Sequence, residues 1–297
     1  MINILQPISF NSFYKQVERV FGEVRLPFHF SKYSNKLYNN FVHVYLLILK
    51  ERHKCSYRRL TELLNDLNVL RMLGIQKLPH FTTLQKFVSR ISKDILQKLV
   101  IACHKLINSN KMVVAVDSTG FVNVNPTYYY LNRCGIRPPY KNFTQTSIVV
   151  DTDTKLVLNI MTNSHRKNDT QSFIPLLDKL KQNIIRALAD KGYDSKELRE
   201  YCWDNNITVH IPFRKPPSYQ TMSDNRIKAM RRFRIKSYNK RSVVESVISA
   251  IKRTTGGFVT ATKQDNQQKQ VILKVLTYNL EHLSRNKKVI SFTISIL

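Results

Sequence analysis

The chain contains 297 residues, and its 48 lysine and arginine residues against 20 aspartate and glutamate residues give it a formal net charge of +28. This length allows one large domain or two, and the charge predicts a polyanionic partner. The four cysteines lack paired spacing and no apolar run approaches 20 residues, which argues against a zinc ribbon, a disulfide framework and a membrane partner, so we expect a cytoplasmic protein that is not exported.

Residues 1–110 are predicted to form a helical domain. Apolar residues recur at helical spacing between Val42 and Leu67, and Gly74 and Pro79 then interrupt the pattern. Thr82 followed by Gln85 predicts a capping box, so residues 57–91 could form a helix, turn and helix unit of the kind that binds DNA. A helical packing subdomain with a solvated basic face explains the same pattern equally well, and both interpretations stay open.

From residue 111 onward the pattern changes to alternating strands and helices. Apolar, β-branched runs predict five strands and two intervening helices, with strands over 112–116, 144–150, 155–162, 184–189 and 207–211 and helices over 172–182 and 195–205. This order, completed by a final helix, is that of a ribonuclease H-like mixed sheet. We therefore expect an α/β domain over residues 111–297 after the N-terminal helical domain.

Two aspartates follow strands that such a sheet would place side by side. Asp117 comes directly after the first strand and Asp190 directly after the fourth. Each residue alone is typical of an ordinary turn, but the two together predict a pair of neighbouring carboxylates. Asp169 is different, since it precedes a predicted helix that starts near Ser172, and we expect it to cap that helix.

Positive charge is concentrated at both ends of the chain. Residues 1–111 carry 18 basic against 6 acidic residues and residues 211–297 carry 18 against 4, whereas residues 112–210 carry 12 against 10. This layout favours a polyanion held by the two outer segments, with carboxylates in the centre left to bind metal. Charge alone does not distinguish DNA from RNA.

A basic connection covers residues 211–241 and leads into the final helical region. It contains ten lysine and arginine residues and a single acid, Asp224. We expect this connection to bind DNA, chiefly through the cluster Arg231, Arg232, Arg234 and Lys236. The alternative is an ordinary solvated run of charge. Only 54 residues separate Asp190 from Glu245, which excludes a large insertion domain between them.

The most informative pattern is Tyr-x2-Arg-x3-Glu-x6-Lys, formed by Tyr238, Arg241, Glu245 and Lys252. At about 100° per residue, these four side chains would lie within roughly 60° of one another on one helix. The stripe would present a single carboxylate among groups suited to phosphates. Glu245 alone could equally be an exposed residue paired with Arg241 one turn earlier.

Asp117, Asp190 and Glu245 together predict a metal site. Mg²⁺ prefers oxygen ligands and retains several waters, so three carboxylates leave room for a substrate phosphate. Two such ions, Mg²⁺ or Mn²⁺, would activate the attacking oxygen and stabilise the leaving oxygen in a displacement at phosphorus.

The residues just described resemble those of the DDE transposases of bacterial and archaeal insertion sequences, in the group often called insertion-sequence four/five. Asp117, Asp190 and Glu245 match the family's acidic residues, and Tyr238, Arg241 and Lys252 complete its signature around Glu245. The similarity runs from about residue 56 to about residue 283. Ser246 departs from the pattern, since many members carry arginine there.

The resemblance implies a prokaryotic transposase that binds the terminal inverted repeats of its own mobile element as a homodimer, cuts by hydrolysis and joins the freed 3′ ends to target DNA. It implies that Asp117, Asp190 and Glu245 are the catalytic, metal-binding residues. Tyr238, Arg241 and Lys252 would orient the double-stranded DNA backbone. The alternatives are a metal-dependent nuclease without strand transfer, a catalytically silent DNA-binding derivative, and an RNA-binding protein that uses charge alone.

Overall fold

The computed structural model describes residues 10–30, 32–33, 36–65, 69–107, 111–124, 135, 143–164, 168–214 and 224–285. The chain divides into two compact units, one drawn from residues 1–107, 254–256 and 272–297 and the other from residues 108–253 and 257–271. In this division, residues 272–297 group with the N-terminal helices. The predicted domains, 1–110 and 111–297, stay a prediction.

The first unit is helical. Its helices are α1 (Phe10–Val24), α2 (Asn40–Arg52), α3 (Tyr57–Asn65), α4 (Val69–Leu73), α5 (Phe81–Arg90) and α6 (Lys93–Lys105). Side chains fix two of the starts, since Asn39 Oδ1 accepts the Val42 amide and Ser92 Oγ accepts the Ile95 amide. Helix α2 is buried along most of its length, which makes it the centre of this unit.

Residues 57–91 contain three helices rather than two. Helices α3 and α5 pack together through buried residues such as Leu60 and Leu84, with the short α4 between them in sequence. The predicted capping box is wrong, because α5 already begins at Phe81 and His80 holds the cap position. Thr82 Oγ1 instead contacts His80 Nδ1 at 2.8 Å. DNA binding by this segment stays a prediction.

A buried charge cluster joins α2 to the part of α12 (Gln264–Arg285) that follows Val271 and belongs to the same unit. Glu51 Oε1 lies 2.7 Å from Lys50 Nζ, and Glu51 Oε2 lies 3.0 Å from Lys274 Nζ. Burial alone would raise the pKa of Glu51, but the two ammonium groups outweigh it and hold that pKa below its ordinary value. The Glu51 carboxylate therefore neutralises charge that the core could not otherwise hold.

The second unit contains a mixed sheet. Its strands are β1 (Met112–Asn123), β2 (Phe143–Asp151), β3 (Val157–Asn163), β4 (Ile184–Leu188), β5 (Thr208–His210) and β6 (Phe258–Val259). The order is β3-β2-β1-β4-β5, with β6 pairing to β1. Strands β1, β2 and β3 are antiparallel neighbours, whereas β4 runs parallel to β1 and β5 parallel to β4. This confirms the predicted mixed sheet with the first and fourth strands adjacent.

Strand β1 is longer than its apolar run predicts. The prediction that it stops before Asp117 is wrong, because β2 pairs with it continuously from Val114 to Val122. The polar residues after Val116 are held by these backbone hydrogen bonds rather than by apolar packing. Asp117 consequently projects from within a strand and not from a turn.

Along the chain, the described helices of this unit lie before β4, between β4 and β5, and after β5. They are α7 (Thr170–Asp178), α8 (Lys196–Asp204), α9 (Asp224–Arg232), α10 (Ile235–Tyr238) and α11 (Ser242–Thr255). Helix α11 buries Val244, Val247 and Ile251 at helical spacing, so Glu245 lies on its exposed side. None of the helices in the described ranges is sufficiently long and apolar to cross a membrane.

Replacing Glu51 by glutamine is expected to lower the free energy of unfolding by about 3–5 kcal/mol, because it leaves Lys50 and Lys274 buried without their carboxylate. Glu62→Gln is the matched control, since Glu62 pairs with Arg59 at 3.3 Å on the surface and should cost less than about 1 kcal/mol. Urea unfolding measures both. Equal losses in the two variants would contradict the expected role of the buried cluster.

Candidate active site

The pairing of β1 with β4 brings the two aspartates together. The last registered pair of this parallel ladder is Ala115 with Leu188. Asp117 and Asp190 each lie two residues beyond that pair, on the same edge of the sheet. The prediction of neighbouring carboxylates therefore holds for their backbone positions.

Asp117 is held in place from two directions. Its Oδ1 accepts the Ser118 amide at 2.8 Å, and its Oδ2 accepts Nη2 of Arg241 at 3.3 Å. Burial raises the pKa of Asp117, and repulsion by Asp190 and Glu245 adds to the effect, so that the two hydrogen bonds only partly offset it. Asp190 and Glu245 therefore lie close enough to Asp117 for their charges to raise its pKa.

Asp190 caps the short 3₁₀ turn Lys191–Tyr193. Its Oδ1 accepts the Gly192 amide at 2.8 Å. A Cβ atom at position 192 would lie only 2.9 Å from that oxygen, so glycine allows the close approach. The Asp190 carboxylate is oriented by its own loop.

The predicted four-residue stripe is not one continuous helix. Tyr238 ends α10, Arg241 lies in the 3₁₀ turn Asn239–Arg241, and only Glu245 and Lys252 belong to α11. The prediction was wrong here because a 3₁₀ turn rotates about 120° per residue instead of about 100°. Glu245 and Lys252, seven residues apart, do share a face.

Arg241 bridges two of the three carboxylates. Its Nη1 lies 2.6 Å from Glu245 Oε1, and its Nη2 lies 3.3 Å from Asp117 Oδ2. Burial alone would lower the pKa of Arg241, but the charges of Asp117 and Glu245 more than reverse this and the pKa is raised. The guanidinium stays charged and neutralises the carboxylates that flank it. Its side chain is 17% exposed, whereas that of Glu245 is 56% exposed.

The donor set is chemically suited to a divalent cation, although Arg241 now lies between two of its members. All three groups are carboxylates, and the raised pKa of Asp117 reflects burial and mutual repulsion that an added cation would relieve. Within the described ranges, no three His, Cys, Asp or Glu side chains are arranged to hold a metal ion as they stand.

Lys252 borders the same site. Its Nζ donates to Thr119 Oγ1 at 2.6 Å, and the ammonium lies 5.4 Å from the centre of the Phe121 ring. Burial lowers the pKa of Lys252. Thr119 and Phe121 both belong to β1, so this lysine extends from α11 back to the strand that carries Asp117.

The other predicted DNA contacts precede Arg241 in the chain, and Tyr238 helps to raise the pKa of Arg241. Arg231, Arg232, Arg234 and Lys236 are exposed. Arg232 lies over the Trp203 ring at 4.8 Å, and Tyr238 is half-buried with its ring 5.7 Å from that of Phe233. The remainder of the basic connection, residues 215–223, falls outside the described ranges.

A row of hydroxyl groups behind the aspartates was missed from the sequence. Tyr193 Oη lies 2.9 Å from Ser118 Oγ, which lies 2.8 Å from Ser147 Oγ, and Ser172 Oγ lies 3.0 Å from Ser147 Oγ. Burial raises the pKa of Tyr193 far above its ordinary value, so its phenol stays protonated. Tyr193 follows Asp190 by three residues, which is the signal that sequence reasoning did not use.

Asp169 does not cap its helix. It holds the cap position of α7 but makes no capping hydrogen bond. Its Oδ1 instead accepts Nε2 of Gln145 at 2.8 Å, because a neighbouring strand offers a donor that a sequence pattern cannot reveal. Its backbone carbonyl accepts the Ser172 hydroxyl at 2.8 Å.

The loop that carries Asp190 is anchored by a buried ion pair that also escaped prediction. Asp194 Oδ1 accepts Arg199 Nε at 2.9 Å, and Asp194 Oδ2 accepts the Arg214 amide at 2.8 Å. The Arg214 side chain donates to the carbonyls of Lys191 and Gly192. The loop is thereby fixed on both of its sides.

Comparison with known proteins identifies one family. The family described as Transposase DDE domain matches residues 108–280, more than half of the chain. No curated protein matches. Among solved structures, the cryo-EM structure of a piggyBac transposase synaptic complex with hairpin DNA is similar at 10% identity and a TM-score of 0.50, over 98% of this chain and 77% of that one.

A second solved structure is less similar to this chain than the piggyBac structure is. It is the cryo-EM structure of a simian T-cell lymphotropic virus intasome in complex with PP2A regulatory subunit B56 gamma, at 14% identity and a TM-score of 0.26. The similarity covers 68% of this chain and 65% of that one.

Replacing Asp194 by asparagine is expected to lower the free energy of unfolding by about 3 kcal/mol, because the Arg199 guanidinium would stay buried without its counter-charge. Glu200→Gln, in the same helix, removes an exposed pair with Lys196 at 3.8 Å and should cost less than about 1 kcal/mol. Urea denaturation distinguishes the two. A loss of similar size in both variants would refute the anchoring role of Asp194.

His210 predicts an acid-dependent loss of stability. It is 1% exposed, its Nδ1 accepts the Arg234 amide, and burial together with Arg186 and Arg234 lowers its pKa to about 4. The unfolded state takes up a proton near pH 6.5 and the folded state does not, so stability should fall as pH decreases from about 6.5 to about 4. Urea unfolding across this range should show a shallower fall for His210→Gln. Identical pH profiles would contradict this assignment.

Proposed function

Because the chain belongs to the Transposase DDE domain family, we propose that it is an active DNA transposase of the insertion-sequence four/five type. It would bind the terminal inverted repeats of its own element, cleave the DNA there and join the 3′ ends to a target. The observation that carries this proposal is the approach of carboxylates from the loop after β4 and from α11 to Asp117 on β1. The charges of Asp190 and Glu245 both raise the pKa of Asp117, and Arg241 bridges Asp117 to Glu245.

Each acidic residue has a role in this proposal. Asp117, Asp190 and Glu245 would together hold divalent metal, Mg²⁺ or Mn²⁺, two ions for each site. When bound, the metal supplies Lewis acidity and lowers the cost of deprotonating the attacking water or 3′-hydroxyl. Asp117 and Asp190 enter this arrangement already oriented by the amides of Ser118 and Gly192. Preorganisation of this kind is the main protein contribution to phosphoryl transfer.

Cationic residues would hold the DNA backbone. Arg241 and Lys252 border the carboxylates and would position the scissile phosphate, while the half-buried Tyr238 would support the same strand. The exposed cluster of Arg231, Arg232, Arg234 and Lys236 would bind flanking phosphates. The piggyBac structure is a synaptic complex with hairpin DNA, which supports the proposal of a homodimer that holds two DNA ends.

The bridge made by Arg241 supports one alternative. A guanidinium that permanently occupies the space between Asp117 and Glu245 would exclude metal and leave a silent DNA-binding derivative. We favour the active enzyme, because the Glu245 side chain is 56% exposed and can leave the bridge without disturbing packed neighbours.

Cleavage and joining on an oligonucleotide that carries the ends of the element test the proposal. With Mg²⁺ present, the wild type should give cut and joined products, and Glu245→Ala should lower the rate by about 100-fold or more, since a lost metal interaction is worth several kcal/mol. DNA binding should be retained. Glu200→Ala, which removes an acid remote from the site, should behave as the wild type.

The possible products separate the candidates. Cut DNA without joined product would favour a metal-dependent nuclease. Binding without chemistry in either protein would favour the silent derivative. RNA binding that is indifferent to Asp117, Asp190 and Glu245 would reject all three DNA-based functions.

A further inference from the structure

The row of hydroxyl groups described above links the backbones on which the two aspartates lie. Tyr193 belongs to the 3₁₀ turn that Asp190 caps, and Ser118 is the neighbour of Asp117 in β1. Their side-chain oxygens are 2.9 Å apart, and Tyr193 is 1% exposed. This contact joins segments 75 residues apart in sequence.

The row of hydroxyl groups ends on a backbone carbonyl. The Ser172 hydroxyl shares its one proton between the Asp169 carbonyl at 2.8 Å and Ser147 Oγ at 3.0 Å. Either oxygen can be the donor between Ser147 and Ser118, and between Ser118 and Tyr193. The row therefore ties the Tyr193 hydroxyl, through three serine side chains, to the backbone at Asp169.

Ser118 contacts both neighbours of the row through its side-chain oxygen, Tyr193 Oη at 2.9 Å and Ser147 Oγ at 2.8 Å. Its backbone amide is the group that donates to Asp117 Oδ1. The side chain of Ser118 is thus a tether, and its main chain orients the carboxylate.

We propose that Tyr193 is a positioning residue that sets the separation of Asp117 and Asp190 by tying the Asp190 loop to Ser118. The inference rests on the proposed function, since the separation of two carboxylates matters most where they share a cation. Strand pairing ends at Ala115 and Leu188, so backbone hydrogen bonds between β1 and β4 do not reach either aspartate. The phenol hydroxyl supplies the missing cross-link just beyond that point.

Tyr193→Phe removes the phenol hydroxyl and keeps the aromatic ring. The ring packs against Phe173 with centroids 5.7 Å apart, and phenylalanine keeps that contact. Tyr201→Phe is the matched control, because the Tyr201 hydroxyl donates to Asp178 Oδ1 at 3.3 Å on the surface of the same unit. Both variants lose one oxygen atom and one hydrogen bond.

Mn²⁺ titration of the full-length protein, followed by electron paramagnetic resonance, measures the effect. Tyr193→Phe should weaken Mn²⁺ binding by about tenfold, as expected for partners that orient metal-binding groups, and Tyr201→Phe should change it by less than about twofold. Single-turnover cleavage by Tyr193→Phe should slow to a similar degree while its affinity for the DNA ends stays unchanged. A merely structural hydroxyl would leave Mn²⁺ affinity untouched.

Unchanged Mn²⁺ affinity in folded Tyr193→Phe overturns the inference. If that variant does not fold, Ser147→Ala takes its place, since it removes the hydroxyl that lies 2.8 Å from Ser118 Oγ and should weaken Mn²⁺ binding by up to about tenfold. Unchanged affinity there is equally decisive. Asp117→Ala separates this result from the proposed function. Mn²⁺ binding that is lost in Asp117→Ala supports the metal site whatever Tyr193→Phe does, whereas a wild type that binds no Mn²⁺ refutes the proposed function itself.

Discussion

Charge compensation among clustered carboxylates is the constraint on which the candidate site depends. Asp117 lies where burial and two neighbouring acids disfavour its ionised form, as its raised pKa records. Arg241 partly offsets this effect, because its planar guanidinium contacts both Asp117 and Glu245. A lysine in its place would offer a point charge and could not span both partners in the same way. The positions of the Asp117 and Glu245 side chains therefore depend on an arginine at position 241.

The two aspartates reach the site by different structural means. Asp117 belongs to a strand paired on its β2 side, so its backbone is fixed by regular hydrogen bonds. Asp190 lies in a loop and depends on individual contacts, among them the Gly192 amide and the buried Asp194 carboxylate nearby. Tyr193 connects the two systems. Irregular backbone beside a sheet is held as firmly as the strands only where such side-chain contacts are dense.

Sequence reasoning succeeded where the pattern was local and failed where the partner was distant. The apolar runs before Asp117 and Asp190 predicted β1 and β4. The run of β1 from Met112 to Val116 is buried on both faces and leaves a continuous signature, whereas β4 includes the exposed Ile185. The extension of β1 to Asn123 could not be predicted, since it depends on pairing with β2. The same holds for Asp169, whose donor Gln145 lies on another element, and for the 3₁₀ turn that breaks the stripe before Glu245.

The extension of β1 also bears on how the chain acquires its structure during synthesis. Strand β6 pairs with the extension at Val122 and Asn123, and it immediately follows the helix that carries Glu245. These contacts join residues more than 130 positions apart, a separation that slows folding. Synthesis proceeds from the N-terminus, so a growing chain cannot pair β1 with β6 until Val259 has left the ribosome. Until then, the part of β1 at Val122 and Asn123 lacks its β6 partner, although β2 can already pair with Val122.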